Sequence, residues 1–526
     1  MGDEFIVLGV TSYDLSVIRW LHTLREVYDG KVILFMTSRE DLVEPLSRLY
    51  NVEIRYRTVT NGFWNWKNFN QWQFVLEVAL EYPESTILRT DVFDVFFQAD
   101  PRPFVDEPET IYVAEEGAIN SECPINDPWV KYSPYLPEIA ALGYWERPVL
   151  NAGLVVAKGR QLASLARYQL DNPLQAMTDQ PSFNLWFCEQ TEKVKYVPGF
   201  MECFWKQFLI HKRGELINGT IIDRELKTPW AVVHANGAKL LIERRFCPLE
   251  KFARIEQSIS PDFTEQNKQT LKNLVVIAIC SYSPCVLRWL ISLRGVFDGK
   301  VILVLTDHEY MVDQLAVKFN VDIRYRPEPA EFWQSKSHRL FMGQWKYILE
   351  IAKEYPDSWI LRTDPYDVVF QSDPRSAVGS EKITEGVVYA SLEPFVNCHG
   401  DSANWVKHSS EPKTIDDLGY LFRQTICSGV ILAKGSQFVS LSNYIIENRL
   451  QVRADQPAFA LWIYEHKIPH RYIYGFIETL LWNQPANDKH FIDPIYRRPI
   501  SVVHGNHVST EKFDRFYPVS KYIELT

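Results

Sequence analysis

The sequence predicts an α/β protein of two tandem domains, each built on a mostly parallel sheet with helices on both faces. The first observation is an internal repeat: Gly30–Arg57 aligns without gaps with Gly299–Arg326, and fifteen of the 28 residues are identical. A period of about 270 residues is too long for a solenoid, so each copy is expected to be a domain. We expect these domains to span residues 1–257 and 271–526, joined by a polar stretch.

The second observation is that strands and helices alternate within each copy. Phe5–Val10 is an apolar run typical of a buried strand, and Val17–Val27 carries apolar residues at helical spacing. The next elements predicted for the first copy are strand Val32–Met36, helix Leu42–Leu49, strand Val52–Tyr56, helix Gln71–Glu81 and a strand that begins at Ile87. Later strands are predicted in a less regular order at Thr110–Ala114, Leu154–Ala157, Lys193–Val197 and Ala231–His234. Continuous apolar strands between helices indicate a sheet covered on both faces.

Composition excludes several classes of protein. The formal net charge of −10 argues against nucleic acid as a partner, because nucleic-acid binding needs a basic surface. The eight cysteines include no Cys-x-x-Cys pair, so neither a zinc site nor a disulfide framework is indicated. The sequence has no signal-peptide pattern and no apolar run long enough to span a bilayer, so we expect no membrane insertion and a cytoplasmic location. Nothing in the sequence indicates an oligomeric state.

Paired carboxylates follow one strand in each copy. Asp91 and Asp94 lie in the frame Ile87–Pro101, which recurs as Ile360–Pro374 with eleven of fifteen residues identical. Open α/β sheets bind their ligands at the carboxyl ends of strands. Closely spaced oxygen ligands there suit Mg²⁺ or Mn²⁺, which typically hold a diphosphate. The alternative is that these aspartates only cap the following turn.

Two further short motifs carry polar or small residues. Asn151 and Gly153 lie in an Asn-Ala-Gly run, where small residues let the backbone approach a ligand closely; an ordinary entry into a strand is the alternative. Asp179 and Gln180 begin an apolar helix and can offer a carboxylate and an amide to substrate hydroxyls. Asp179 can equally be a helix N-cap with Pro181 in the first turn.

A third motif follows the strand that ends near residue 234. His234 can supply a nitrogen ligand to a metal ion. Gly237 lets the backbone close over a phosphate, and Lys239 supplies a positive charge for it. A solvent-exposed turn is the alternative for this motif taken alone.

Four motifs follow one another along the first copy: Asp-x-x-Asp, Asn-Ala-Gly, Asp-Gln and His-x-x-Gly-x-Lys. Their types and their order resemble those of GT-A-fold glycosyltransferases, notably the retaining group of glycogenin and the bacterial galactosyltransferases. The flanking Asp-Val-x-Phe-Gln-x-Asp-Pro resembles nucleotide-diphospho-sugar transferases more broadly. The resemblance covers nearly all of each copy and implies two GT-A-like domains with Rossmann-like, mostly parallel mixed sheets. It implies transfer of a hexosyl or pentosyl group, with retention, from a nucleotide-sugar donor, UDP favoured, to a glycan or other hydroxyl acceptor. It also implies Mn²⁺ or Mg²⁺ as cofactor, and a mixed oxygen and nitrogen ligand set favours Mn²⁺.

The resemblance also implies roles for individual residues. Asp91, Asp94 and His234 would bind the metal ion on the donor diphosphate, while Gly237 and Lys239 would contact its phosphates. The family spaces its carboxylates as Asp-x-Asp, whereas this chain has Asp-x-x-Asp. That departure leaves open whether Asp91 binds the metal directly or acts through ribose or water.

The remaining predicted contacts surround the donor. Asp179 and Gln180 correspond to the family pair beside the transferred sugar and are the catalytic candidates. The predicted cofactor contacts outside the phosphate motif are Thr11, Ser12, Tyr13, Arg89, Asn151 and Gly153. Tyr13 and Arg89 can equally be ordinary packing and surface residues.

The second copy keeps only part of this set. Its predicted metal ligands are Asp364, Asp367 and His504, and its predicted catalytic pair is Asp455 and Gln456. It lacks the Gly and Lys of the phosphate motif, and its Asn-Ala-Gly has become Cys427-Ser428-Gly429. Losing a phosphate cation should slow departure of a diphosphate. We therefore expect the first copy to be the stronger catalyst, and the second to be a transferase of different specificity or a binding module.

Two other functions fit parts of the sequence. A sugar nucleotidyltransferase would need a glycine-rich basic loop after the first strand, and residues 9–13 do not form one. A non-catalytic tandem carbohydrate-binding or scaffold protein of GT-A fold is the alternative from another class, and the carboxylate pair argues against it for the first copy.

Overall fold

The protein is described from a computed structural model, which covers residues 4–58, 69–107, 109–123, 126–131, 133–176, 178–190, 193–203, 214–217, 220–234, 250–260, 262–327, 343–376, 382–397, 404–407, 409–420, 424–472, 477–479 and 502–504. The chain divides into two compact units, Met1–Ser260 (unit 1) and Pro261–Thr526 (unit 2). Among the described residues, each unit contains a seven-stranded sheet, and most strand pairs in each of these sheets are parallel. The predicted α/β class with mostly parallel sheets is confirmed.

Unit 1 alternates strands and helices through its first half. Its strands are β1 Phe5–Thr11, β2 Lys31–Met36, β3 Glu53–Tyr56, β4 Thr86–Thr90, β5 Val95–Phe97, β6 Ile111–Ile119, β7 Pro148–Lys158, β8 Val194–Lys195, β9 Met201–Cys203, β10 Gly214–Ile217, β11 Thr220–Asp223 and β12 Val232–His234. Its α-helices are α1 Ser16–Val27, α2 Val43–Tyr50, α3 Trp72–Glu81, α4 Asn126–Lys131, α5 Leu136–Ala141, α6 Gly159–Asp171, α7 Asp179–Glu189 and α8 Glu250–Ile259.

The large sheet of unit 1 has the strand order β3-β2-β1-β4-β7-β6-β8. Strands β3, β2, β1 and β4 are parallel, and β7 runs antiparallel to both β4 and β6. The interior of β1 is buried on both faces, as its continuous apolar sequence predicts. Ile6, Leu8 and Val10 pack with helices α3 and α6 on one face.

Strand β7 is longer than predicted. The sequence indicated a strand over Leu154–Ala157, whereas β7 begins at Pro148. The extension pairs with β6, where Glu115 lies opposite Leu150. The Asn151-Ala152-Gly153 run therefore lies inside a strand that continues past the end of β4.

A small sheet joins the turn after β4 to β12, the last described strand of the unit. Its order is β5-β12-β9, with β12 antiparallel to β5 and parallel to β9. Strands β10 and β11 form a separate hairpin.

Unit 2 repeats the large sheet of unit 1. Its strands are β13 Val275–Cys280, β14 Lys300–Leu305, β15 Asp322–Tyr325, β16 Trp359–Thr363, β17 Val368–Phe370, β18 Val388–Val396, β19 Gln424–Lys434, β20 His470–Arg471, β21 Ile477–Thr479 and β22 Val502–His504. Its α-helices are α9 Thr264–Thr270, α10 Pro284–Arg294, α11 Val312–Phe319, α12 Trp345–Glu354, α13 Pro412–Asp417, α14 Gly435–Glu447 and α15 Asp455–Glu465. The sheet orders are β15-β14-β13-β16-β19-β18-β20 and β17-β22-β21.

The core of unit 2 lies on the two faces of this sheet. Val276 and Ala278 of β13 pack with helix α10 on one face, including Trp289. Val275 and Ile277 pack with helices α12, α14 and α15 on the other. Alternate residues of one strand thus serve two cores, as a doubly covered sheet requires. Within the ranges that the structure covers, every helix is too short or too polar to span a bilayer.

Candidate metal centre

The site of unit 1 lies at the carboxyl edge of its large sheet. Strands β1 and β4 are parallel with Gly9 beside Thr90, so the loop after β1 and the turn after β4 leave the same edge. Asp91 is the first residue after β4, and Asp94 is the last before β5. This is the edge at which parallel sheets bind ligands.

The small sheet brings the histidine to the two carboxylates. In the antiparallel pair of β12 and β5, His234 lies opposite Val95, next to Asp94. Nε2 of His234 lies 3.0 Å from Oδ1 of Asp94 and 3.7 Å from Oδ2 of Asp91. Among the described residues, these three form the one group of potential metal ligands whose donor atoms all lie within 4.8 Å of one another. The structure therefore brings His234 to two carboxylates that lie far from it in the sequence.

Gly153 leaves the space between these ligands open. The backbone N–H of Asp91 donates to the carbonyl oxygen of Gly153 at 2.8 Å, which draws β7 against the turn. A Cβ atom on Gly153 would lie 2.6 Å from Oδ2 of Asp91 and 2.7 Å from Cε1 of His234. A side chain there would fill the space that a cation needs. Two carboxylates and one imidazole around an open space are a donor set that fits a divalent ion such as Mn²⁺.

Helix α1 holds the turn that carries the carboxylates. The buried Arg19 guanidinium donates to the carbonyl oxygen of Phe93, and Nε1 of Trp20 donates to Oγ1 of Thr90 at 2.9 Å. The matching contacts of unit 2 are Arg288 to the carbonyl of Tyr366 and Trp289 to Oγ1 of Thr363. The sequence signal was the run Arg19-Trp20-Leu21, which recurs as Arg288-Trp289-Leu290, but the pattern alone assigned it no partner.

Arg89 lies beneath Asp91 and is almost fully buried. Its Nη1 donates to the carbonyl oxygen of Ala152, and its Nη2 donates to Oε1 of Gln71 at 2.9 Å. Nη2 also lies 2.9 Å from Oδ1 of Asp91, and the guanidinium stacks 5.0 Å from the centre of the Trp72 ring. The predicted contact of Arg89 with a nucleotide stays a prediction. The structure places its charge behind the carboxylate.

Asp179 occupies a buried position at the start of α7. Its Oδ2 accepts hydrogen bonds from Nε2 of Gln71 at 3.0 Å and Nε1 of Trp72 at 3.3 Å. Burial raises the pKa of Asp179 to about 6, and the positive charge of Arg89 opposes the shift. Gln71, which the sequence did not single out, therefore links this carboxylate to Arg89.

Gln180 points to a set of amide side chains. Its Nε2 donates to Oδ1 of Asn126 at 3.1 Å. The buried Asn184 donates through Nδ2 to the carbonyl oxygens of Gln180 and Leu150, each at 2.8 Å. Its Oδ1 accepts the N–H of Leu150 at 2.8 Å, so α7 is tied to the start of β7.

Asn151 lies behind His234. Its Oδ1 lies 2.9 Å from Nδ1 of His234 and accepts the backbone N–H of Gly153 at 2.8 Å. Its Nδ2 donates to Oε1 of the buried Glu116 at 2.8 Å. Sequence reasoning missed Glu116; the one signal was a glutamate at the matching position of the second copy, Glu393.

The ionisation of His234 responds to both its burial and its neighbours. Burial lowers the pKa of His234, but the negative charges of Asp94 and Asp91 outweigh it and raise the pKa above the ordinary 6.5. The two carboxylates that would bind a cation therefore also stabilise a proton on His234.

The predicted nucleotide loop lies at the same edge of the sheet. Thr11 is buried at the end of β1, and the backbone N–H of Tyr13 donates to Oγ of Ser38 at 2.8 Å. The guanidinium of Arg39 lies 5.3 Å from the centre of the Tyr13 ring. Ser12 lies between Thr11 and Tyr13 in the sequence and is half-buried. Gly237 and Lys239, the predicted phosphate contacts, lie outside the described residues.

The corresponding residues of unit 2 meet differently. Nε2 of His504 lies 3.3 Å from Oδ1 of Asp367, and Sγ of Cys427 lies 3.3 Å from Nδ1 of His504. The sulfur also accepts the N–H of Gly429 at 3.4 Å, and the N–H of Asp364 donates to the carbonyl of Gly429 at 2.9 Å. Within the described part of unit 2, no three donors lie as close as those of unit 1. The predicted second metal site stays a prediction.

The carboxylates of unit 2 have unequal ionisation. Burial and the charge of Asp367 raise the pKa of Asp364 to about 6. Burial favours the neutral form of Asp367 too, but His504 outweighs it and holds the pKa of Asp367 below its ordinary value. The pKa of Asp455 is raised by burial against the charge of Arg362.

The predicted catalytic pair of unit 2 begins α15. The carboxylate of Asp455 accepts hydrogen bonds from Oγ of Ser428 and Nε1 of Trp345, each at 3.3 Å. Nη2 of Arg362 lies 4.0 Å from Oδ2 of Asp455. Gln456 follows in the first turn and is half-buried.

Comparisons with known proteins give distant structural likeness only. No family model matches the sequence, and no curated protein matches it. The glycosyltransferase GlyE of Streptococcus pneumoniae TIGR4 is 10% identical over 66% of this chain and 84% of its own, with a TM-score of 0.29. Its apo form is 10% identical over 62% and 81%, with a TM-score of 0.30. Core-mannan synthase A (CmsA/Ktr4) of Aspergillus fumigatus, in a Mn/GDP form, is 11% identical over 37% and 72%, with a TM-score of 0.23. Scores this low carry no argument about function.

Proposed function

We propose that this protein is a metal-dependent glycosyltransferase that uses a nucleotide-diphosphate sugar, and that unit 1 is its catalytic unit. The observation that carries the proposal is the convergence of Asp91, Asp94 and His234 at the carboxyl edge of the sheet. The order of the four motifs along the chain resembles GT-A-fold glycosyltransferases, which supports sugar transfer over other metal-dependent reactions.

Asp91, Asp94 and Nε2 of His234 would hold the divalent ion. An ion bound there would supply positive charge against the charge that grows on a leaving diphosphate. The nitrogen ligand favours Mn²⁺ over Mg²⁺, which prefers oxygen. Gly153 keeps the space open because it lacks a Cβ.

The remaining residues orient the donor and the ligands. Nη2 of Arg89, which lies 2.9 Å from Oδ1, holds the carboxylate of Asp91 from below, so that Oδ2 faces the open space. The loop Thr11–Tyr13 lies where a nucleoside would reach the same edge of the sheet. We propose that Asp179 and Gln180 contact the transferred sugar, and that Gly237 and Lys239 contact the phosphates. UDP, a glycan acceptor and retention of configuration are proposed from the motif resemblance.

Unit 2 is proposed to be a binding module or a weaker transferase. Its histidine faces a thiol where unit 1 has an amide, and its predicted ligands are less closely grouped in the described residues. A module that binds a nucleotide-sugar or a glycan, without turnover, is the second candidate for this unit.

A donor-hydrolysis screen tests the proposal. The full chain is incubated with Mn²⁺ and a panel of nucleotide-sugars, and release of the nucleoside diphosphate is measured. We expect one donor to be turned over slowly without acceptor, and Asp94→Asn to reduce the rate on the order of 10²–10³-fold. Asp367→Asn is the matched control in unit 2 and should leave most of the activity. Turnover that survives Asp94→Asn but not Asp367→Asn would reverse the assignment, and ligand binding without turnover would favour a binding protein.

A further inference from the structure

The side-chain amide of Asn151 has an orientation that its neighbours determine. Oδ1 accepts the N–H of Gly153 at 2.8 Å, and a backbone N–H can only donate. Nδ2 donates to Oε1 of Glu116 at 2.8 Å. Both side chains are almost fully buried, with exposed fractions of 1% for Asn151 and 3% for Glu116. The reversed amide would place NH₂ against N–H and oxygen against carboxylate, so that orientation is excluded.

This orientation decides which nitrogen of His234 keeps its proton. Oδ1 of Asn151 lies 2.9 Å from Nδ1, and an amide oxygen only accepts hydrogen bonds. Nδ1 must therefore carry a proton, because a bare nitrogen there would face the oxygen lone pairs. The proton that His234 can give up is the one on Nε2, which faces Asp94 and Asp91. A metal ligand must offer a bare nitrogen, so the amide directs Nε2 towards that role.

His504 in unit 2 has a different partner. Cys427 replaces the amide, and its Sγ lies 3.3 Å from Nδ1 while it accepts the N–H of Gly429 at 3.4 Å. A thiol carries a hydrogen that it can donate to a bare Nδ1. Nε2 then keeps its proton and faces the carboxylate of Asp367, whose Oδ1 lies 3.3 Å away in an ion-pair contact. An Nε2 in this state is not available to a cation.

We propose that Asn151, oriented by Glu116, is a positioning residue that makes Nε2 of His234 the metal-binding nitrogen. In unit 2, Cys427 at the equivalent position leaves the proton on Nε2 of His504, so that this nitrogen does not bind a metal ion. The chain then binds one divalent ion tightly, in unit 1. This inference rests on the metal site of the proposed function. It adds Asn151 and Cys427 as the residues that decide which unit binds the metal ion.

Manganese binding by the full chain tests whether His234 alone, and not His504, binds the metal ion. Free Mn²⁺ is followed by electron paramagnetic resonance during a titration, and we expect one tight site per chain. Asn151→Cys should weaken binding about 10–100-fold, the usual cost of losing the partner that orients a metal-binding histidine. Two equal tight sites, or an unchanged affinity in Asn151→Cys, would overturn the proposal.

A double exchange separates positioning from simple loss of packing. Asn151→Asp alone sets a second carboxylate against Glu116 and should bind Mn²⁺ weakly. Adding Glu116→Gln supplies an NH₂ donor to the new carboxylate, which then accepts from Nδ1 of His234 as the amide did. We expect the double variant to recover affinity to within about threefold of the unsubstituted protein. A double variant that melts normally yet binds as weakly as Asn151→Asp would contradict the mechanism.

The tautomers can be read in the unsubstituted, metal-free protein. The protein is labelled with ¹⁵N-histidine, and ring-nitrogen shifts are recorded at alkaline pH, where both imidazoles are neutral. His234→Gln and His504→Gln assign the signals. We expect a proton on Nδ1 of His234 and on Nε2 of His504, and the same tautomer in both rings would overturn the inference. Failure of the unsubstituted protein to bind Mn²⁺ would instead refute the proposed function, and the tautomers would still decide the inference.

Discussion

Nη2 of Arg89 lies 2.9 Å from Oδ1 of Asp91, at the base of the candidate metal site. The contact places a fixed positive charge behind one of two closely spaced carboxylates. It leaves Oδ2 of Asp91 directed towards the space beside His234. In unit 2, Nη2 of the equivalent Arg362 lies 4.0 Å from Oδ2 of Asp455. The two units therefore use the same buried arginine in different ways.

Arg89→Lys should damage both the fold and the site. A lysine amine cannot reproduce the fork that joins Arg89 to the carbonyl of Ala152, to Gln71 and to Asp91. We expect the free energy of unfolding to fall by about 2–4 kcal/mol, because a buried network loses partners. Activity at saturating Mn²⁺ should fall at least about tenfold.

Arg362→Lys is the matched control for that substitution. It disturbs the equivalent network of unit 2 and should also lower the free energy of unfolding, measured by urea titration. It should leave donor hydrolysis within about twofold if unit 1 is the catalyst. Equal losses of hydrolysis in both variants, with both proteins folded, would show that the units do not differ in this way.

Gly153→Ala should remove metal binding. The new Cβ would lie 2.6 Å from Oδ2 of Asp91 and 2.7 Å from Cε1 of His234, distances that real Cβ atoms do not tolerate. The ligands must then move apart, and we expect Mn²⁺ affinity to fall at least about 100-fold. Calorimetric titration with Mn²⁺ measures the loss.

Gly429→Ala makes the same change in unit 2. Its Cβ would lie 2.4 Å from Nε2 of His504, so the local clash is at least as severe. We expect activity and the tight Mn²⁺ site to survive this substitution. Loss of both would place the metal centre in unit 2.

Much of this arrangement could be predicted from the sequence. Apolar strands alternating with helices predicted the sheet, and the ends of β4 and β12 carry Asp91, Asp94 and His234, which the structure brings together. The contact between Asn151 and His234 could not be predicted, because it depends on how far β7 extends past β4. A pattern of apolar residues does not set that register.

Glu116 and Arg19 were missed for different reasons. A single glutamate inside a strand matches no motif, and only the structure shows it bonded to an amide behind the histidine. Arg19 recurs with the repeat, but helical periodicity places it on an apolar face without naming a partner. The carbonyl of Phe93 becomes that partner only when the turn after β4 folds over α1.

Manganese binding should weaken as the pH falls. Nε2 of His234 must be bare to bind a cation, and Asp94 and Asp91 raise the pKa of this imidazole above 6.5 despite its burial. We expect affinity to be constant above that raised pKa and to fall about tenfold per pH unit below it. Because proton and metal compete, higher Mn²⁺ should move the break in the activity profile to lower pH. A break that is the same at every Mn²⁺ concentration would exclude this competition.

Asp179→Asn should stabilise the protein at neutral pH while it impairs the reaction. Burial raises the pKa of Asp179 from 3.8 to about 6, so between these values the folded state holds a proton that the unfolded state has released. Stability therefore decreases as the pH rises through this window, and the full cost is present above it. The substitution removes the cost and should raise the free energy of unfolding by about 1–3 kcal/mol at pH 7, with no gain near pH 3.

Donor hydrolysis by Asp179→Asn should fall at least about tenfold if the carboxylate contacts the sugar. Asp455→Asn, whose parent carboxyl also has a raised pKa, should stabilise unit 2 without that loss. Urea unfolding at several pH values decides the point, and a less stable Asp179→Asn at neutral pH would mean that this carboxylate is ionised and well paired in the folded protein.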